Sequence, residues 1–315
     1  MPVKAKEHHL LDRLAPALPI FLGAGLLLCG KQVSAAVSES LTLCIQILLP
    51  SLFPFFSVSA LLCSGGGQAP VWVGKLMERL FGLPGSMAPA LLLGAVGGYP
   101  VGARTVCQLY ERGICRKEQA VSALRFCCNA GPAFVVSALG SGLLGDGKTG
   151  WLLWFIHIAS ALMLGLLFRT KSSCVKADDV TPFSQYNTSG TALFLQAVTG
   201  SAATFLNVCA FVVFFAVLTC LLEQMPVLTA FPPLPTGLLY GFLELTGGAV
   251  KLIEAALPRR VLLTSLSFLC GWGGLSVQCQ TMDLLQKADL PCRGYLMTKL
   301  LHGAVAAALT LLIST

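Results

Sequence analysis

The sequence predicts an all-α polytopic membrane protein with about eight or nine membrane segments, some of them discontinuous or re-entrant. Composition is the first indication. Of 315 residues, 55% are hydrophobic and 11% charged, against about 25% charged in soluble domains. With a mean hydropathy of +0.78, most of the chain belongs in lipid. Segmentation is the second. Apolar runs cover 14–30, 41–63, 87–103, 126–144, 151–168, 206–222, 237–257, 261–279 and 296–313, several near the ~20 residues that span a bilayer. The third is a break, Gly97-Gly98-Tyr99-Pro100-Val101-Gly102-Ala103, inside an apolar run that starts at Met87. Pro100 has no backbone N–H and the glycines permit sharp turns, so a continuous helix does not carry this cluster. An unsatisfied backbone group in lipid costs several kcal/mol, so such a break persists only against protein or water. Interrupted helices are how many transporters build a binding site.

The net charge of +7 does not point to nucleic acid. The basic residues cluster between apolar runs, as the positive-inside rule predicts, with no aromatic-interleaved basic stripe. The 13 cysteines lie mostly in apolar runs without a Cys-x-x-Cys pair, and read as small apolar fillers. His8, His9, His157 and His302 lack metal-ligand spacing, and His157 reads as a packing residue. No metal or cofactor is expected.

Residues 1–40 read as an N-terminal helix and a loop. Lys4, Lys6 and Arg13 precede the first apolar run, which resembles a signal peptide with Val33-Ser34-Ala35 as its cleavage site. A retained first helix is preferred, because every later segment is also membrane-embedded. Residues 41–168 form the first membrane half. Pro50 and Pro54 kink its opening run, and 71–82 reads as an interfacial amphipathic helix, with 191–205 as another. Segment 104–125 is the most charged, divided by Gly113 into two arms. Its basic residues argue for the cytoplasm, with Arg104 and Arg125 as interfacial anchors. A complete crossing by 87–103 would put this segment outside, whereas a re-entrant hairpin keeps both flanks inside. Residues 169–190 form a polar cytoplasmic linker, in which the sequon Asn187-Thr188-Ser189 stays unglycosylated. Residues 191–315 are the second membrane half, and the loop 223–236, without Lys or Arg, is placed outside.

The two halves share punctuation. Gly98-Tyr99-Pro100 is followed 31 residues later by Asn129-Ala130-Gly131-Pro132-Ala133-Phe134. Glu244-Leu245-Thr246-Gly247-Gly248 is followed 29 residues later by Gly273, within Gly271-Trp272-Gly273-Gly274-Leu275-Ser276. Paired interruptions in corresponding positions point to a transporter site. An inverted repeat would make 237–257 a second hairpin entering from outside, against which Pro258-Arg259-Arg260 would face two arginines outward.

The candidate site follows from these breaks. Backbone groups of Gly98, Tyr99, Pro100, Gly102, Gly131, Pro132, Thr246 and Gly274 would supply donors and carbonyls. Asn129 and Gln278 would orient a solute, beside Ser276 and Gln280. Glu244, a lone carboxylate in mid-run, costs at least ~2.5 kcal/mol at bilayer depth and so faces protein or water. It is the candidate ion-coupling residue, for H+ or Na+. Each has a plainer reading: Glu244 as a protonated bridge between helices, Asn129 as the cap of a kink, Gln278 as a helix-end cap. Lys251 and Glu254 read as a boundary pair three residues apart. Enzymes are disfavoured on spacing: there is no His-Glu-x-x-His, Gly-x-Gly-Asp or Gly-x-Ser-Gly.

Four motifs in order carry a family resemblance. They are Leu49-Pro50-Ser51-Leu52-Phe53-Pro54-Phe55-Phe56, Gly98-Tyr99-Pro100-Val101-Gly102-Ala103, Asn129-Ala130-Gly131-Pro132-Ala133-Phe134 and Gly273-Gly274-Leu275-Ser276-Val277-Gln278. From about Leu41 to His302 the chain resembles the YlbJ-type sporulation integral membrane proteins, within the nucleoside-recognition, or Gate, domain group. Where that family tends to have serine, this chain has Gly97 and Ala130, so two hydroxyls are missing. Either the solute preference differs or the site is structural. The resemblance implies a role in endospore formation in the cell membrane of a Gram-positive bacterium. It also suggests kinship with transporters built from re-entrant hairpins, such as concentrative nucleoside transporters, though fold does not fix substrate. The expected function is secondary translocation of a small, nucleoside-like solute. The alternative is a non-transporting scaffold for spore cortex or coat assembly that holds partners on the arms 104–125. The partners implied are the bilayer, an unidentified solute, and further copies of the chain or other sporulation membrane proteins.

Overall fold

The computed structural model describes residues 17–64, 69–169, 190–225 and 231–313. The signal-like basic residues, almost all of the linker and the sequon lie outside the described residues. Among the described residues every regular element is a helix.

The first half opens with α1 (Ala17–Leu28) and α2 (Gly30–Leu43). A π-helical segment, Cys44–Leu48, leads directly into α3 (Leu49–Ser64). Pro50 cannot donate to the ladder, and the widened turn just before it accommodates the disrupted register. Residues 31–40, expected as loop, are helical. The polar stretch is held by packing, with Val33 of α2 buried against Cys220 and Leu221.

Next comes α4 (Val71–Leu76), extended by the π-helical Met77–Phe81. It buries Val73, Met77 and Phe81 and exposes Val71 and Trp72, the two-faced character expected of an interfacial helix. Gly82 sits at φ +66, and the chain turns by 113° into Gly85–Val96. There α5 (Ala88–Val96) and α6 (Tyr99–Glu111) form a hairpin. Gly94 and Gly102 bring the arms together: a Cβ on Gly102 would lie 2.9 Å from the Gly94 Cα and 2.0 Å from the Cys127 carbonyl oxygen. Gly113, at φ +71, makes the turn into α7 (Lys117–Cys127). An extended stretch then leads to the π-helical Ala133–Leu143, and α8 (Gly147–Leu167) closes the half.

The second half repeats this order. The long α9 (Gly190–Glu223) is followed by a hairpin of α10 (Pro233–Leu243) and α11 (Leu245–Glu254). Its arms meet at Gly241 and Gly248, where a Cβ on Gly248 would lie 2.0 Å from the Gly241 Cα. Then α12 (Arg259–Trp272) breaks at Gly273 into α13 (Gly274–Lys287), and α14 (Arg293–Ile313) ends the fold. Residues 191–205 are no separate interfacial helix. They form the first part of α9, whose 34 residues extend ~51 Å at 1.5 Å per residue.

Five helices among the described residues are long and apolar enough to cross a membrane, six if Val71–Phe81 with Gly85–Val96 is one span. Runs 87–103 and 237–257 are packed hairpins with arms of 9 to 13 residues, too short to cross separately.

Two ion pairs orient the halves. Lys117, at the start of α7, lies 2.9 Å from Asp289, just past α13. Asp146, just past the helix that follows the first break, lies 3.2 Å from Arg259 at the start of α12. The two broken helices therefore run antiparallel. One end of the molecule carries Arg112, Arg116, Lys117, Arg169 and Lys287, and the other Lys148, Lys251, Arg259 and Arg260. The hairpins are rooted at opposite ends, since α6 leads into α7 at the first and α11 into α12 at the second.

Candidate functional site

Each broken helix packs its break against the tip of its own hairpin. At the first tip Gly98 adopts φ +88, and a Cβ on Gly131 would lie 2.7 Å from the Val96 carbonyl oxygen and 3.0 Å from the Gly98 nitrogen. At the second tip Gly274 adopts φ +79, and its Cβ would lie 2.8 Å from the Leu245 nitrogen. Only glycine tolerates both the conformation and the approach. The two assemblies also touch. The Tyr99 hydroxyl of the first donates to the Cys270 carbonyl of the second; within the second, the Trp272 indole N–H donates to the Phe242 carbonyl of its own hairpin at 2.9 Å.

Between these breaks and the long helices lies a small cavity of about 70 Å³. One wall is Leu48, Leu52 and Phe56 with Val208 and Val212 of α9. The other wall comes from the breaks: Gly97, Gly98, Tyr99 and Pro100, then Gly131, then Glu244, Leu245 and Thr246, then Ser276, Val277 and Gln280. All four interruptions thus contribute to one space. Of the residues expected from sequence, Gly98, Tyr99, Pro100, Gly131, Glu244, Thr246 and Ser276 line it. Gly102, Asn129, Pro132, Gly274 and Gln278 do not.

The polar side chains divide accordingly. Glu244 is buried and caps α11, accepting from the Thr246 amide at 2.9 Å and the Gly247 amide at 2.5 Å. A carboxylate suits that helix N-terminus, whose free N–H groups it satisfies. Asn129 donates to the Phe126 carbonyl at 2.7 Å, closing the end of α7. Gln278 donates to the Trp272 carbonyl, bridging the second break. Gln280, expected beside Ser276, lines the cavity. Lys251 pairs with Glu223 of α9 at 3.1 Å, a correction to its expected pairing with Glu254. The partner lies across the helix interface rather than along α11.

Sequence reasoning missed a buried cluster behind the first break. Lys299 of α14 is fully buried and donates to the Cys128 carbonyl at 2.5 Å. Its Nζ lies 2.8 Å from Nδ1 of His302, whose Nε2 lies 3.0 Å from the His157 carbonyl oxygen. His157 Nε2 accepts from the Ala130 amide at 2.9 Å. The imidazoles stack at 4.4 Å. Six residues into a helix after Arg293, Lys299 resembles a snorkelling lysine, and nothing local reveals its burial.

In sequence the chain is similar to the sporulation integral membrane protein YlbJ of Bacillus subtilis (strain 168), 27% identical over 330 residues. The alignment covers 93% of this chain and 80% of that protein. No family model matches the chain, and no solved structure matches it. The similarity supports the YlbJ-type assignment and a multi-pass membrane protein, and does not extend to the nucleoside-recognition, or Gate, group.

Proposed function

We propose, with the YlbJ-type assignment as premise, that this multi-pass membrane protein is of the sporulation type and works as a secondary translocator of a small solute. The single observation that carries this reading is the convergence of all four helix interruptions on one cavity. In lipid, irregular backbone is tolerated only against protein or a cavity, and paired interruptions at a repeat interface are a transporter's way of building a site. Gly97, Gly98 and Gly131 line the cavity without a side chain of their own. Thr246, Ser276 and Gln280 offer neutral donors and acceptors, which suits an uncharged polar solute such as a nucleoside. Antiparallel halves with hairpins rooted at opposite ends fit the alternating exposure of one site.

Glu244 is the one carboxylate on the cavity wall among the described residues. In this reading it holds the second tip in order and meets whatever approaches the α11 N-terminus. The scaffold alternative draws on the exposed charge of 104–125 and needs no cavity.

The test is a thermal-shift screen of purified protein against nucleosides, nucleobases, amino acids, sugars and dicarboxylates. A ligand that binds the folded state raises its melting temperature by mass action. A shift that is lost on Ser276→Val or Gln280→Leu supports the site. No shift across the panel sinks the translocator and favours the scaffold.

A further inference from the structure

The Lys299 cluster lies at the centre of the fold. His157 is the middle residue of the 21-residue α8, and His302 lies one residue from the middle of the 21-residue α14. These two spans occupy corresponding places in the antiparallel halves, so their stacked imidazoles mark the depth at which the halves cross. An ionisable side chain at such depth is expensive, and in membrane proteins it marks ion and proton pathways. Lys299 forms no ion pair with a carboxylate among the described residues. The titratable groups around it are Tyr295 and His302 on α14, Cys127 and Cys128 at the end of α7, His157 on α8 and Tyr99 on α6.

The hydrogen bonds define a proton arrangement. An ammonium on Lys299 donates to the Cys128 carbonyl and to His302 Nδ1. His302 is then the neutral tautomer whose Nε2–H donates to the His157 carbonyl. His157 accepts at Nε2 and so carries its proton on Nδ1, a buried atom without a hydrogen-bond partner. Both ends of the cluster grip the first break, at Cys128 and Ala130. Tyr99 separates it from the cavity: it lines that cavity, and its ring centre is 5.8 Å from Lys299 Nζ. The ammonium also occupies the free carbonyl of the unwound backbone, the kind of oxygen a sodium ion would take.

We infer that Lys299 is an intramembrane proton-binding residue and that the ion accompanying the solute is a proton rather than sodium. The second part rests on the translocator reading. Charged, Lys299 holds the Cys128 carbonyl and His302. When its proton leaves, Nζ becomes an acceptor as well as a donor, and the grip on the break weakens. Movement of the Tyr99 tip around a solute transmits to that equilibrium through direct contact. Glu244, both of whose oxygens accept helix amides, is not the carrier.

Two measurements test this on the full chain in detergent or nanodiscs. Lysine Cε carbon resonances are recorded against pH for wild type, Lys299→Arg and Lys299→Met. The expected result is a resonance absent from both variants that moves with pH while the protein stays folded. A Lys299 resonance held in one charge state throughout overturns the assignment. His302→Gln keeps an acceptor for Nζ and serves if both Lys299 variants fail to fold: it should displace that titration, and an unmoved titration counts against the cluster. Next, the solute found in the screen is added in weakly buffered solution with a pH dye. Proton exchange on binding is expected in wild type, unchanged when choline replaces sodium, and absent in Lys299→Met. A sodium requirement, or exchange lost in Glu244→Gln but kept in Lys299→Met, overturns it. If no solute binds, the translocator reading falls alone, and the resonance titration still decides whether Lys299 binds a proton.

Discussion

Arg259 and Asp146, 113 residues apart, meet at 3.2 Å and join the start of one broken helix to the end of the other. With the Lys117–Asp289 pair at the opposite end, they make the two broken helices antiparallel. Both pairs are substantially exposed, so they mark the geometry more than they stabilise it. They also answer the objection raised by Pro258-Arg259-Arg260. Arg259 is neutralised by Asp146, and Arg260 donates to the Leu311 carbonyl at 3.0 Å.

Orientation is directly testable. The end bearing Arg112, Arg116, Lys117, Arg169 and Lys287 should face the cytoplasm by the positive-inside rule. A membrane-impermeant maleimide applied to intact cells should label Lys148→Cys and spare Asp289→Cys, with wild type as the background. Labelling of both from one side would refute the opposed halves.

Asp146 should make stability sensitive to acid. Its carboxyl accepts from the Thr149 hydroxyl and amide and then from Arg259, which lowers its pKa from 3.8 to about 2. A depressed carboxylate contributes stability that is present above its unfolded value and lost as pH falls through the folded one. Asp146→Ala should therefore melt below wild type at neutral pH, and the gap should close between about pH 4 and pH 2. A gap that is constant with pH would assign the whole effect to other causes.

The hairpin arms should not tolerate side chains at their contact. Gly248→Ala and Gly102→Ala should each cost about 1–3 kcal/mol, because the neighbour is backbone and cannot yield as a side chain can. Gly200 has nothing within 4 Å of its added Cβ, and Gly200→Ala should be neutral or slightly stabilising. Thermal unfolding of the three variants in one detergent decides it.

Glu244 can be separated into cap and charge. Glu244→Ala removes both acceptors from the α11 N-terminus and should cost about 1–2 kcal/mol. Glu244→Gln retains one acceptor and should fold nearly as well as wild type. With Lys299 as the proton-binding residue, gradient-driven uptake of the solute should survive Glu244→Gln; uptake lost in a folded variant would return the coupling role to Glu244.

Trp272→Phe should keep the stack on Phe242, whose rings lie 4.6 Å apart, and lose the bond to the Phe242 carbonyl. A loss of about 1 kcal/mol is expected. A much larger loss would mean that the bond also holds the second tip in place.

The sequence by itself determined the membrane class, the position of every break and the pairing of the halves. These are local facts: apolar runs, a proline without an N–H, and glycines that open the helix. It also marked Glu244, because a carboxylate in an apolar run is visible without neighbours. Tertiary structure decided which break residues share a space. Gln280 faces the cavity whereas Gln278 bridges Trp272, though both lie two residues from the next polar site along one helix. Their direction depends on the left-handed turns at Gly273 and Gly274, which no periodicity reveals. Helical structure in 31–40 arises from packing on α9, and the Lys251–Glu223 pair from an interface. The Lys299, His302 and His157 cluster is the furthest from legible. Its members are separated by up to 145 residues of sequence, and only the crossing of two antiparallel spans brings them together.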